Sequence, residues 1–95
     1  MATIVGRQSH TTTGTKDGIE AEGCRSPYQA VLQVTIGTSA TYNVEYTCDG
    51  NNWLVHPDGN NQTASAVFTF AYPITATRLV IAAISGALTA VLVEG

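Results

Sequence analysis

Charge is what this chain has least of. Only 12% of its 95 residues are Asp, Glu, Lys or Arg, against about 25% in an average soluble protein. A body this small has proportionally more surface, so its surface must be neutral polar or covered by partners. The only cations are Arg7, Lys16, Arg25 and Arg78, and the net charge is −3. Cations so scattered build no basic stripe against phosphates, which argues against nucleic acid as a partner.

Other absences narrow the field. Two cysteines, Cys24 and Cys48, make no disulfide framework, and in a cytosolic product they stay reduced. The start, MATIVGRQSH, lacks the charged and apolar regions of a secretory leader. Arg78, Ser85 and Thr89 interrupt the most apolar segment before it nears the ~18 residues of a membrane span. The expectation is a soluble protein made in the cytosol, without a membrane partner.

Chemistry-bearing patterns are missing too. Cys24, Cys48, His10 and His56 have no paired zinc-ligand spacing. No nucleophile elbow or phosphate-binding glycine loop occurs. The seven acidic residues fall mostly in turns or at the ends, not in a pair suited to acid–base work. No catalytic residue, metal or cofactor is expected, and the chain reads as a non-enzyme. Asn61-Gln62-Thr63 matches a glycosylation sequon, but without a leader it reads as a loop.

What is present is β patterning. Alternation and β-branched residues dominate, and no window keeps a helical period. Residues 1–27 have too few large apolar groups to fold alone and read as an N-terminal arm with short strands at ATIV and Ile19–Glu22. Residues 28–95 read as the core of a single β-sandwich, immunoglobulin-like or jelly-roll, with about seven strands in the chain.

The tetrapeptide Asp-Gly-Asn-Asn occurs at Asp49–Asn52 and at Asp58–Asn61. It suits turns, because Asp caps a turn and Gly and Asn tolerate left-handed backbone. A four-residue loop over Asp49–Asn52 would set Cys48 opposite Trp53, Tyr46 opposite Val55 and Val44 opposite Pro57. These would form one apolar face. That register makes Trp53, Cys48, Tyr46 and Val44 core residues and leaves His56 in solvent beside Glu45. The two loops would then lie at opposite ends of the sheet, too far apart to share a cation.

The end of the chain holds the functional clue. Pairing TRLVIAAI with ALTAVLVE about Ser85-Gly86 gives a core face with Leu79, Ile81 and Leu92. The opposite face, with Arg78, Val80, Ile84, Val91 and Val93, is also largely apolar. Such a patch would be on the order of 400 Å², near the limit for a monomer. Its cover is either the rest of this chain or another subunit.

The run TYNVEYTCDGNNW, followed by ITATRLVIAAISGALTAVLVEG, resembles small β-sandwich structural proteins of tailed-bacteriophage virions. Asp49, Gly50, Trp53, Arg78, Ser85 and Gly86 fit their pattern, and Cys48 stands where they carry a polar residue. The resemblance covers roughly the last two-thirds of the chain. It implies a capsid decoration or cement protein, localised in the virion after synthesis in the host cytoplasm. Its partners would be copies of itself and the major capsid protein or another virion protein. The alternative is a carbohydrate-binding or adhesion module, since discoidin-like β-sandwiches also use Asp-Gly-x-x-Trp turns.

Overall fold

The alternating segments AVLQVTI and LTAVLVE become the centre of one sheet. In the computed structural model, which describes residues 3–21, 30–70 and 74–94, β4 (Ala30–Ile36) pairs antiparallel with β9 (Leu88–Glu94). Leu32 lies opposite Leu92 and Val34 opposite Ala90, all buried. β1 (Thr3–His10) flanks β9, and β7 (Ala66–Phe70) flanks β4, giving the order β1-β9-β4-β7. The second sheet centres on β5 (Ser39–Thr47) and β8 (Ala76–Ser85). β6 (Leu54–Val55) lies beyond β5, while β2 (Gly14–Thr15) and β3 (Ile19–Glu20) pair with β8. The described fold is all-β: nine strands in two antiparallel sheets packed as a sandwich.

The core is the meeting of the two inner faces. Leu32, Val34, Phe68, Phe70, Leu88, Ala90 and Leu92 come from the first sheet, and Tyr42, Val44, Leu79 and Ile81 from the second. Each large side chain buried this way contributes roughly 1.5–3 kcal/mol. Tyr42 meets Phe68 edge to face, with ring centroids 6.1 Å apart.

The expected final hairpin does not form. β8 and β9 lie in opposite sheets, joined by an arch through Gly86 and Ala87. A second arch, through Gly37 and Thr38, carries β4 across to β5 beside it. The arches interlock: the Gly37 amide donates to the Ala87 carbonyl at 2.8 Å. A Cβ on Gly37 would sit 2.9 Å from that oxygen, and Gly86 adopts φ +81° against Thr38. Two apolar alternating strands satisfy a hairpin and an arch equally well in pattern. The arch wins because it sets the two apolar rows on facing layers of the core instead of side by side in one.

A bulge redirects β8 as well. Thr41 lies opposite Ala83 but Tyr42 opposite Ile81, so Ala82 is an extra residue. The bulge turns Ile84 toward the core, where it packs, half-buried. Arg78 and Val80 stay on the outer side.

The described part of the expected arm, residues 3–21, is woven into both sheets. β1 runs along β9, while β2 and β3 run along β8. Its pattern was hard to read because a bulge at Val5 breaks the alternation. Ile19 packs so close to Gly6 that no side chain fits there. Cys24, Arg25, Tyr28 and Tyr72 lie outside the described residues.

Candidate functional site: the outer faces

The β5–β6 hairpin sits one residue away from the expected register. Glu45 faces Val55 and Tyr46 faces Leu54. A one-residue slip exchanges the two faces of a strand, and three expectations reverse. His56 is buried, Trp53 is half-buried on the outer face, and Cys48 is exposed with a free thiol. Val44, Leu79, Ile81 and Leu92 are buried, and Tyr46 is half-buried against the core.

The slip originates in the turn. The Thr47 hydroxyl donates to Asp49 Oδ1 at 3.0 Å and accepts from the Gly50 amide at 3.0 Å. These bonds close the loop around Cys48 and make it five residues long, Cys48–Asn52. Asp49 Oδ1 also accepts from the amides of Asn51 and Asn52, and Oδ2 from Asn52 Nδ2, each at 2.8 Å. The Asn52 amide, the Asn51 amide and the side chains of Asn52 and Thr47 hold the Asp49 carboxyl well below the usual carboxylate range. The carboxylate is thus spent on its own turn.

The second Asp-Gly-Asn-Asn copy is not at the far end of the sheet, as the expected register required. After Val55 the chain makes a turn closed by the Gly59 amide on the His56 carbonyl and continues along the middle of β5. The His56 amide donates to the Val44 carbonyl and the Val44 amide to the Gly59 carbonyl, each at 2.8 Å. Tyr42 and Gln62 then exchange a pair of bonds. Gly59 is required here, since a Cβ would lie 2.6 Å from the Val44 Cβ. The hydroxyl of Tyr42 donates to the Ala64 carbonyl at 2.7 Å, and burial pushes the phenol up to about 12.

His56 fills the space between the sheets on this flank. Its ring meets Phe70 at 5.1 Å and Phe68 at 5.7 Å between centroids. The Asp58 amide, which can only donate, points at Nδ1 (3.1 Å), and the Thr69 carbonyl, which can only accept, faces Nε2 (2.9 Å). The ring is therefore the neutral Nε2–H tautomer, with both nitrogens satisfied. His10 lies on β1 at the opposite flank, where burial and then the Lys16 ammonium push it below its ordinary value. His10, Cys48 and His56 are not brought together, and among the described residues no three Cys, His, Asp or Glu side chains could share a metal ion.

The two outer faces differ. On the second sheet Arg78 Nε bonds Glu45 Oε1 at 2.8 Å, and its guanidinium carbon lies 4.1 Å from the centroid of the Trp53 ring. The edge of that ring lies over Gly18. Sequence reasoning missed this cluster because its register put Trp53 inside. The available signal was Arg78, an internal charge on a strand that needed a partner. On the first sheet the outward residues form rows: Ile4, Val93, Val31 and Thr69, then Arg7, Val91, Gln33 and Val67, then Ser9, Thr89 and Thr35. Ile4 and Val67 are each 56% exposed, and Val31, Val91 and Val93 are half-buried.

The expected interface therefore divides. Val91 and Val93 belong to the outer face of the first sheet, Val80 and Arg78 to that of the second, and Ile84 turns to the core. The expected single patch does not exist. A cleft of about 540 Å³ lies between β1 and β3, lined by Gly6, Arg7, Gln8 and Ile19 among others.

Compared with known proteins, the chain matches no family model, no curated protein and no solved structure.

Proposed function

We propose that this is a non-enzymatic assembly protein, a decoration or cement module that docks on the shell of a virion. The observation that carries the reading is the outer face of β1-β9-β4-β7. It offers Ile4, Val31, Val67, Val91 and Val93 beside neutral Gln33, Thr35, Thr69 and Thr89, with Arg7 as its one charge among the described residues. A face so apolar and so nearly neutral suits another protein surface better than a charged ligand. The resemblance to tailed-bacteriophage sandwich proteins supplies the virion context. The residues that carry it have architectural work here: Asp49 and Gly50 build a turn, Trp53 packs on Arg78, and Gly86 shapes an arch.

The test is co-sedimentation with the particles of the source virus. Wild type should pellet with the particles, and Val91→Asp should stay in the supernatant while remaining folded by circular dichroism. A wild-type protein absent from particles ends this reading. The carbohydrate-binding alternative draws on the half-exposed Trp53. Arg78 already stacks on that ring, which leaves it a poor platform for a sugar. Sugar binding that Trp53→Ala abolishes in a folded protein would favour the alternative.

A further inference from the structure

Edge strands carry backbone donors and acceptors that a sheet leaves unpaired, and proteins blunt them with brevity, bulges, charge or cover. Most edges of this sandwich are blunted in one of these ways. β2 and β3 have two residues each. β6 also has two, and past it the chain from His56 to Gln62 bonds the free side of β5. β1 is long, but it is bulged at Val5 and presents Arg7. β7 differs. Ala66–Phe70 keeps an unbroken register with β4 and contains no charge, proline or glycine.

The hydrogen bond from His56 orients the backbone of this edge. Because Nε2 reaches the Thr69 carbonyl, that carbonyl points away from β4. In an antiparallel ladder the N–H and C=O of one residue point the same way, and the direction alternates along the strand. The Val67 amide and carbonyl and the Thr69 amide therefore face outward, and among the described residues nothing pairs with them. The large apolar side chains exposed among the described residues are Ile4, Leu54, Val55 and Val67, and all but Ile4 lie on β6 and β7, which share one flank.

We propose that β7 pairs antiparallel with β7 of a second copy about a two-fold axis near Val67, joining the two first sheets into one. A strand that meets itself sets each side chain close to its own copy, so any charge near the axis would repel. Ala66, Val67, Phe68, Thr69 and Phe70 bring none, whereas the same contact through β1 would bring Arg7 toward Arg7. Val67 of one copy would cover Val67 of the other, and their amides and carbonyls would exchange bonds. This edge contact shares the Val67 side chain with the face assigned to the shell, but its backbone bonds lie in the plane of the sheet, and it holds whether or not the protein binds particles.

The experiment is analytical ultracentrifugation of the full chain with Val67→Lys, Val67→Pro and Val91→Asp. The wild type and Val91→Asp should sediment as two chains. Val67→Lys should sediment as one, with an unchanged far-ultraviolet spectrum and a dissociation constant raised roughly a hundredfold by two facing cations and lost apolar cover. Val67→Pro deletes only an outward amide and should behave likewise. If the proline variant does not fold, Val67→Lys, which keeps the amide, decides. Hydrogen exchange should protect the Val67 and Thr69 amides in the wild type and lose that protection on dilution. A monomeric wild type, a Val67→Lys protein that stays dimeric, or dissociation by Val91→Asp alone would each overturn the proposal.

Discussion

The two outer faces are built from similar strands and put to different use. On the second sheet the polar and aromatic groups satisfy one another: Arg78 bonds Glu45 and stacks on Trp53. On the first sheet the outward valines lie beside Ile4, neutral polar groups such as Gln33 and Thr69, and a single arginine among the described residues. A face that consumes its own polar groups contributes to the fold and leaves little for a partner. A face that leaves apolar area in solvent contributes little to the fold and is available for contact.

Substitutions at neighbouring positions can break this contrast. The largest effect should come from just beneath the available face. Leu92→Ala opens a cavity between the sheets and should lower stability by about 2–5 kcal/mol in denaturant unfolding. Val91→Asp, one residue away on the outer side, should change stability by only about 0.5 kcal/mol while removing particle binding. A large loss of stability in Val91→Asp would mean that the outer face is covered within the chain. On the second face Trp53→Ala should cost about 1–2 kcal/mol, through the lost stacking on Arg78 and lost apolar burial, without altering particle binding.

Tyr42→Phe sharpens the inner boundary and should cost about 1 kcal/mol for its hydroxyl bond to Ala64. The folded state raises the Tyr42 phenol from 10.0 to about 12, so the neutral form stabilises. That contribution is complete below pH 10 and lost as pH rises toward 12, and the phenylalanine variant should show a flatter decline over this window in thermal unfolding. The smallest effect concerns Asp49, whose folded-state value is depressed below the ordinary 3.8. Its contribution is present above that value and lost as pH falls below it, so Asp49→Asn should reduce the acid sensitivity seen by circular dichroism.

The sandwich was legible in the sequence because alternation in AVLQVTI, ATYNVEYT and LTAVLVE reports a half-buried strand directly. The placement of strands was less legible. Whether β8 and β9 pair or face each other depends on Thr38 and Gly37, nearly fifty residues away in the chain. The outward side of Trp53 depended on one residue of loop length, set by the hydroxyl of Thr47 capturing Asp49 and Gly50. The bulge at Ala82 reversed the outlook of Ile84 without any glycine or proline to announce it. Periodicity gives the faces of a strand, but a single inserted residue decides which face is which.

The paired arches also bear on how this molecule comes into being. β4 and β9 share one layer and β5 and β8 the other, and each arch ties one layer to its opposite. Neither layer can be completed from a continuous piece of chain, so a nascent polypeptide must wait for β8 and β9 before either sheet has its centre. Folding should accordingly be late in synthesis, slow for the chain length, and without a stable half-sandwich along the way.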